Sequence, residues 1–212
     1  MRMRSPKIRH FFEAVLTALL FALQNIIYGG YCISIMFIPL FAYIVSLGMG
    51  NPNLQRDINV LLFSKEFMVG RVIAFAGFTI LLLAGTQLLW GYIRRRALVK
   101  IGLYSVVRHP QYSGIIVMTL GLTIMVMTLS PAPQPILMWL AQIIGYIALA
   151  RYEEWHLEKK HGKDYLEYKR HVPFVFPVKC PPKISETALA ILISVIIAFI
   201  LFIFPYDLIR FL

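Results

Sequence analysis

Residues Val72 to Ile93 read VIAFAGFTILLLAGTQLLWGYI, an unbroken run without a charge, and the next three residues are Arg94-Arg95-Arg96. A helix needs about 20 apolar residues to cross about 30 Å of hydrocarbon. This stretch is therefore long enough to span a bilayer, and cations stop it at one face. The whole chain has the same character. Of its 212 residues 59% are hydrophobic, and the mean hydropathy is +0.72. A soluble domain of this length cannot bury that much apolar surface. The fold expected is all-α, a polytopic membrane helix bundle.

Other runs extend the pattern on both sides. Tyr112 to Ser130 is the next span. Ile136 to Ala150 is short for a crossing and is expected to continue as helix through Arg151 to about His161, emerging into water. Thr187 to Phe204, free of charge and proline, is an extra C-terminal span. Phe11 to Gly48 holds a single charge, Glu13. It is too long for one ordinary crossing, and Gly29-Gly30 near its middle suits a turn. Two helices, about Phe11 to Tyr28 and Tyr31 to Gly48, are expected, with Pro39 kinking the second. The bundle then has five to six transmembrane helices in one integral membrane domain, 1–212. Its parts are N-terminal helices over 11–93, a polar core over 94–183 and the extra helix at 187–204.

Charge sets the orientation. The loop from Arg94 to Gln111 carries five Lys/Arg and the segment from Arg151 to Lys183 carries eight, whereas the linker PAPQP between the two intervening helices carries none. Two crossings separate the basic segments, so they share a face, and the positive-inside rule makes it cytoplasmic. The loop Met49 to Gly70, with two cations, falls outside. With six crossings the N-terminus also falls outside despite Arg2, Arg4, Lys7 and Arg9. That basic start followed by an apolar run has the look of a signal peptide, but no small-residue cleavage site follows, so a retained membrane segment is expected. The net charge of +11 fits cytoplasmic loops facing anionic headgroups. No C-x-x-C or soluble basic domain points to nucleic acid. Cys32 and Cys180 build no disulfide framework.

The two basic segments flank one helical hairpin and can meet in space. The first offers Lys100, Tyr104, Arg108, His109 and Tyr112. The second, RYEEWHLEKKHGKDYLEYKRHVPFVFP, offers Arg151, Glu153, Glu154 and His156. Ionisable groups at a membrane boundary cost free energy unless paired or hydrated, and an Arg-His pair facing two glutamates satisfies that need. Pro110 suits the first turn of the following helix. That would leave free backbone N–H groups around Arg108 and His109 to receive an anion. Gly114 would let a ligand or another backbone come close. The run from Lys159 to Arg170 reads as a headgroup-facing surface, and Tyr165 and Tyr168 as packing for the cap. Tyr104 and Tyr112 read equally as interfacial aromatics or site residues. Glu153-x-x-His156 has the spacing of a di-iron ligand pair, but the charge-free spans supply no further Glu, so no metal is expected.

LVKIGLYSVVRHPQYSG (Leu98 to Gly114), followed by EEWHLEKKHGKDYLEYKRHVPFVFP, resembles the isoprenylcysteine carboxyl methyltransferase and phospholipid methyltransferase superfamily. The shared pattern is L-V-x-x-G-x-Y-x-x-x-R-H-P-x-Y, then E-E, G-x-x-Y-x-x-Y and V-P-x-x-x-P, over roughly Leu98 to Pro177. The resemblance implies an S-adenosylmethionine (SAM) enzyme with a cytoplasmic catalytic cap. It would methylate a lipid-borne acceptor, a prenylcysteine carboxylate or a phospholipid amine, at a plasma-membrane or endomembrane surface. It implies membrane lipids and that acceptor as partners, with no nucleic acid and no metal. Carried over, Leu98, Val99, Lys100, Gly102 and Tyr104 would line the nucleoside side. His109, Pro110, Tyr112 and Gly114 would form the core of the cofactor pocket, Glu153 and Glu154 would face the cationic end of SAM or its ribose, and Arg108, Arg151 and Glu154 would serve catalysis. Prenylcysteine-type members often carry an Arg one helical turn before the first Glu. Here that position is Leu149, which speaks against a carboxylate acceptor.

Two other readings stay open. Membrane sterol and enone reductases, which use NADPH, carry a related R-H-P-N-Y-x-G-E stretch. Here Gln111 replaces the Asn and Ile115 the Glu. A non-catalytic membrane protein is the third. A transporter should carry polar residues deep in several spans, and these spans do not.

Overall fold

The computed structural model describes residues 35–49, 58–94, 98–129, 132–181 and 184–203. Among them every regular element is helical: α1 (Ile35–Met49), α2 (Ile58–Phe63), α3 (Met68–Ile93), α4 (Pro110–Leu129), α5 (Gln134–His161), α6 (Lys163–His171) and α7 (Glu186–Ile203). Short 3-10 turns precede α3 at Lys65–Phe67 and α4 at Gly102–Ser105. Among the described residues four helices are long and apolar enough to cross a membrane: Lys65–Ile93, Pro110–Leu129, Gln134–His161 and Glu186–Ile203. The polytopic helical bundle read from the sequence is the fold. The expected helix Phe11 to Tyr28 lies outside the described residues, and α1 falls within the expected second helix of that region. The expected outside loop at 49–70 instead holds α2 and the 3-10 turn.

The centre of the bundle is α4, whose buried residues lie on all its sides. Against it packs α3, antiparallel, through small residues. The buried positions of α3 are Gly70, Gly77, Ala84 and Gly91, one every seventh residue. Seven residues fall about 20° short of two full turns, so such a repeat stays on one stripe. Across from them are Gly114 and Gly121 of α4. A Cβ built on Gly114 would lie 2.6 Å from the backbone N of Leu81, and one on Gly77 would collide with the backbone of Met118. The two backbones are in direct contact, the arrangement small residues permit between membrane helices. The other faces of α3 carry exposed Phe75, Leu82, Leu83 and Leu89, as suits lipid.

Several polar groups inside the bundle are satisfied by neighbouring helices. Tyr43 Oη donates to the Thr119 carbonyl at 3.0 Å and lies 2.7 Å from Thr123 Oγ1. Trp139 Nε1 of α5 donates to the Ile116 carbonyl at 3.1 Å. Each bond spares a polar atom from hydrocarbon. The expected extension of the third span past Ala150 is observed: α5 runs unbroken from Pro135 at its start to Lys159-Lys160-His161 in its last turn. The chain then forms α6 and folds back as an extended strap, 172–181, before α7. Ala190, Ser194 and Ala198 are the buried residues of α7, which packs on α5. The C-termini of α3 and α5 and the N-termini of α4 and α7 therefore gather at one end.

Candidate functional site

The loop 98–109 is a scaffold tied to its neighbours. Gly102 has φ +64, and a Cβ there would press on the Gln87 amide; glycine alone takes that conformation without strain. The same amide accepts the Leu103 N–H at 3.0 Å. Val99 packs on Gly91 of α3. Lys100 Nζ donates to the Asp164 carbonyl at 3.2 Å, and Tyr168 Oη donates to the Tyr104 carbonyl at 2.6 Å. Tyr104 Oη in turn donates to Gln111 Oε1 at 3.0 Å. Burial pushes the Tyr104 phenol up from its ordinary value, with Glu153 adding to it. Tyr104 and Tyr112 are both buried, so neither is an interfacial aromatic.

The start of α4 differs from expectation. The Arg108 N–H donates to the carbonyls of Pro173 and Phe174 at 2.9 and 3.1 Å, and the His109 N–H to Phe174 at 3.3 Å. Ser113 Oγ donates to Val175 O. The backbone donors expected to receive an anion are held by the strap. Sequence-distant carbonyls satisfy them, which local capping rules do not foresee. Pro110, with no N–H, heads the helix as expected. Gly114 faces the α3 backbone rather than the charged cluster.

The side chains of Arg108 and His109 point the other way, into a buried charge cluster. Arg108 Nη1 is 3.1 Å from Glu154 Oε1, and its Nη2 is 2.5 Å from Glu186 Oε2. His109 Nδ1 is 3.3 Å from Glu153 Oε2, and its Nε2 is 3.7 Å from Glu154 Oε1. Arg151 Nη1 is 2.8 Å from Glu154 Oε2. Tyr112 Oη donates to Glu153 Oε1. The rings of His109 and Tyr112 stack at 5.6 Å, and the guanidinium carbon of Arg151 lies 4.7 Å over the Phe174 ring. The sequence pairing of Arg-His with Glu-Glu is thus what the fold brings together. The two glutamates, about 100° apart on the helix, share His109 and divide its neighbours: Glu153 also holds Tyr112, and Glu154 also holds Arg108 and Arg151.

Burial disfavours the His109 cation, but hydrogen bonds and charge from Glu153 and Glu154 outweigh it and raise its pKa above the usual value. Several buried polar atoms in the cluster have no aligned hydrogen bond, namely Arg108 Nε, His109 Nε2, Glu154 Oε1 and Tyr165 Oη. Such atoms are uncommon in a settled core and mark places where a ligand can complete the bonding.

Four partners escaped the sequence reading. Lys169, assigned to a headgroup-facing run, reaches Glu154 Oε2 at 3.3 Å; the signal was its spacing with Tyr165 and Tyr168 on one helical face. Glu186 and Thr187 come from α7, and Thr187 Oγ1 accepts from Arg151 Nε at 2.8 Å. An acid at the head of an otherwise charge-free span was the available cue. Phe174 of the strap covers both arginines. His156 turns to its own helix, with Nδ1 3.2 Å from the Tyr152 carbonyl. Among the described residues no His, Cys, Asp or Glu group has a metal-holding arrangement.

An integral membrane helix bundle with buried ion pairs gathered at one end is the class defined by this fold and cluster. Residues 65–164 match the phospholipid methyltransferase family. The chain is also 32% identical over 83 residues to protein-S-isoprenylcysteine O-methyltransferase B of Arabidopsis thaliana, a match covering 38% of this chain and 39% of that relative. No solved structure matches. Both matches cover only part of the chain, and residues 65–164 carry its likeness to the phospholipid methyltransferase family.

Proposed function

We propose that the protein is a SAM-dependent methyltransferase that modifies a lipid-borne acceptor at the cytoplasmic face of its membrane, with 94–183 as its core. The observation carrying this reading is the Arg108–His109–Glu153–Glu154 cluster at the membrane end of α4 and α5, in a chain with that family likeness. SAM bears a sulfonium, an ammonium and a carboxylate, so its binder needs both charge signs with polar atoms to spare. The cluster has both charge signs, and Arg108 Nε in it has no hydrogen-bond partner.

Bound SAM supplies an electrophilic methyl group, which an acceptor lone pair takes in line while the bonding pair stays on sulfur. The protein's part is to hold donor and acceptor close and dry. Glu153 and Glu154 are placed to meet the cationic end. Arg108 is placed to brace Glu154. Tyr112 and His109 form a flat wall suited to the nucleoside. Leu98, Val99, Lys100, Gly102 and Tyr104 shape the loop beneath, and Arg151 pairs with Glu154 beside Thr187 of α7.

Calorimetric titration of the detergent-solubilised protein with S-adenosylhomocysteine tests the cofactor, and transfer of label from SAM into separated lipid classes tests the acceptor. Binding lost in Glu153→Gln and His109→Ala, with folding retained, is the expected result. Thermal stabilisation by NADPH and not by S-adenosylhomocysteine would overturn the reading in favour of a reductase.

A further inference from the structure

Helix α7 lies outside the segment matched by the family, yet its first turn enters the cluster. Glu186 Oε2 is 2.5 Å from Arg108 Nη2 and 3.7 Å from Arg151 Nη1. Glu154 touches the same two guanidinium groups. Two cations therefore share two anions, and the remaining cation, Lys169, is divided between Glu154 and Glu158. Neither arginine is left over for a third carboxylate. Glu186 and Arg151 are the more exposed of the four, with 25% and 35% of their side chains accessible against 1% for Arg108 and 2% for Glu154. Glu186 lines a crevice between α7 and the strap whose other walls include Phe174, Val175, Leu189 and Ile193.

Resting on the methyltransferase reading, we propose that Glu186 is a specificity-determining residue: it fills the carboxylate position of the Arg108–Arg151 pair, so the acceptor presents an uncharged nucleophile such as a lipid amine. A carboxylate acceptor would have to expel Glu186 or lie beside it, and like charges in a poorly solvated site repel strongly. A free amine meets no such repulsion. Its nitrogen gains the methyl group with its own lone pair, the sulfonium charge passes to it as ammonium, and that ammonium then releases a proton to water.

The test uses two probes with the same apolar chain, a farnesylated cysteine and its methyl ester, titrated into the full-length protein in detergent. Wild type is expected to bind the ester at least as tightly as the acid. In Glu186→Gln the acid should bind about tenfold more tightly than in wild type, with the ester unchanged. Glu186→Ala should behave like Glu186→Gln, and Glu186→Asp should keep the wild-type order. A purely structural role would move both probes together. Wild-type preference for the acid, equal changes for acid and ester, or no binding of either probe in any variant would overturn the proposal. S-adenosylhomocysteine titrated in parallel separates the two levels. Its failure to bind wild type removes the methyltransferase reading, whereas its binding without an acid–ester switch removes only the role of Glu186.

Discussion

Arg108 and Glu154 sit 3.1 Å apart with 1% and 2% of their side chains exposed, one just before α4 and the other near the end of α5. Each would be costly alone in that position. Their pairing is what allows two charges to stay where the helices leave the membrane, and it welds the start of one helix to the end of another.

Replacing Glu154 by Gln removes an anion shared by Arg108, Arg151 and Lys169. Breaking a buried pair from one side leaves an uncompensated charge, so a loss of about 3 kcal/mol is expected. Thermal unfolding in detergent measures it. Loss of S-adenosylhomocysteine binding should accompany it.

The raised pKa of His109 gives a signed pH dependence. A folded-state pKa above the unfolded value, about 6.5 for histidine, contributes stability that is fully present below about pH 6.5. That contribution is lost as pH rises through the folded pKa. The stability difference between wild type and His109→Asn should therefore be largest in mild acid and shrink as pH rises. Melting temperatures of both proteins across that range check it, and a difference growing with pH would contradict it.

The glycine seam makes a contrast within helices. Gly114→Ala places a methyl against the Leu81 backbone, which cannot swing aside, so a loss of about 2 kcal/mol is expected. Gly85→Ala, where a Cβ meets nothing within 4 Å, should cost nothing. Unfolding of the two variants side by side gives the comparison.

The spans were legible because hydrocarbon thickness imposes a length and forbids charge, and both are written locally. Val72 to Ile93 needed no partner to be recognised. The meeting of Arg108-His109 with Glu153-Glu154 was legible too, since crossing parity places both at one end. Other features depend on register between distant segments. The strap carbonyls that take the Arg108 and His109 N–H groups come from beyond α6, and no local rule at Pro110 announces them. Gly114 offered a ligand or a backbone as its neighbour, and only the packing of α3 decides for the backbone. Glu186 went unremarked because its partners, Arg108 just before α4 and Arg151 on α5, are distant in the sequence.

The close seam between α3 and α4 also decides traffic. Where two backbones touch along several turns, no acyl or prenyl chain can slide between them. That flank of α4 is closed to lipid, and anything arriving from the bilayer must approach α4 from another side. A helix pair that looks like passive scaffolding thereby rules out one direction from which the membrane can supply the site.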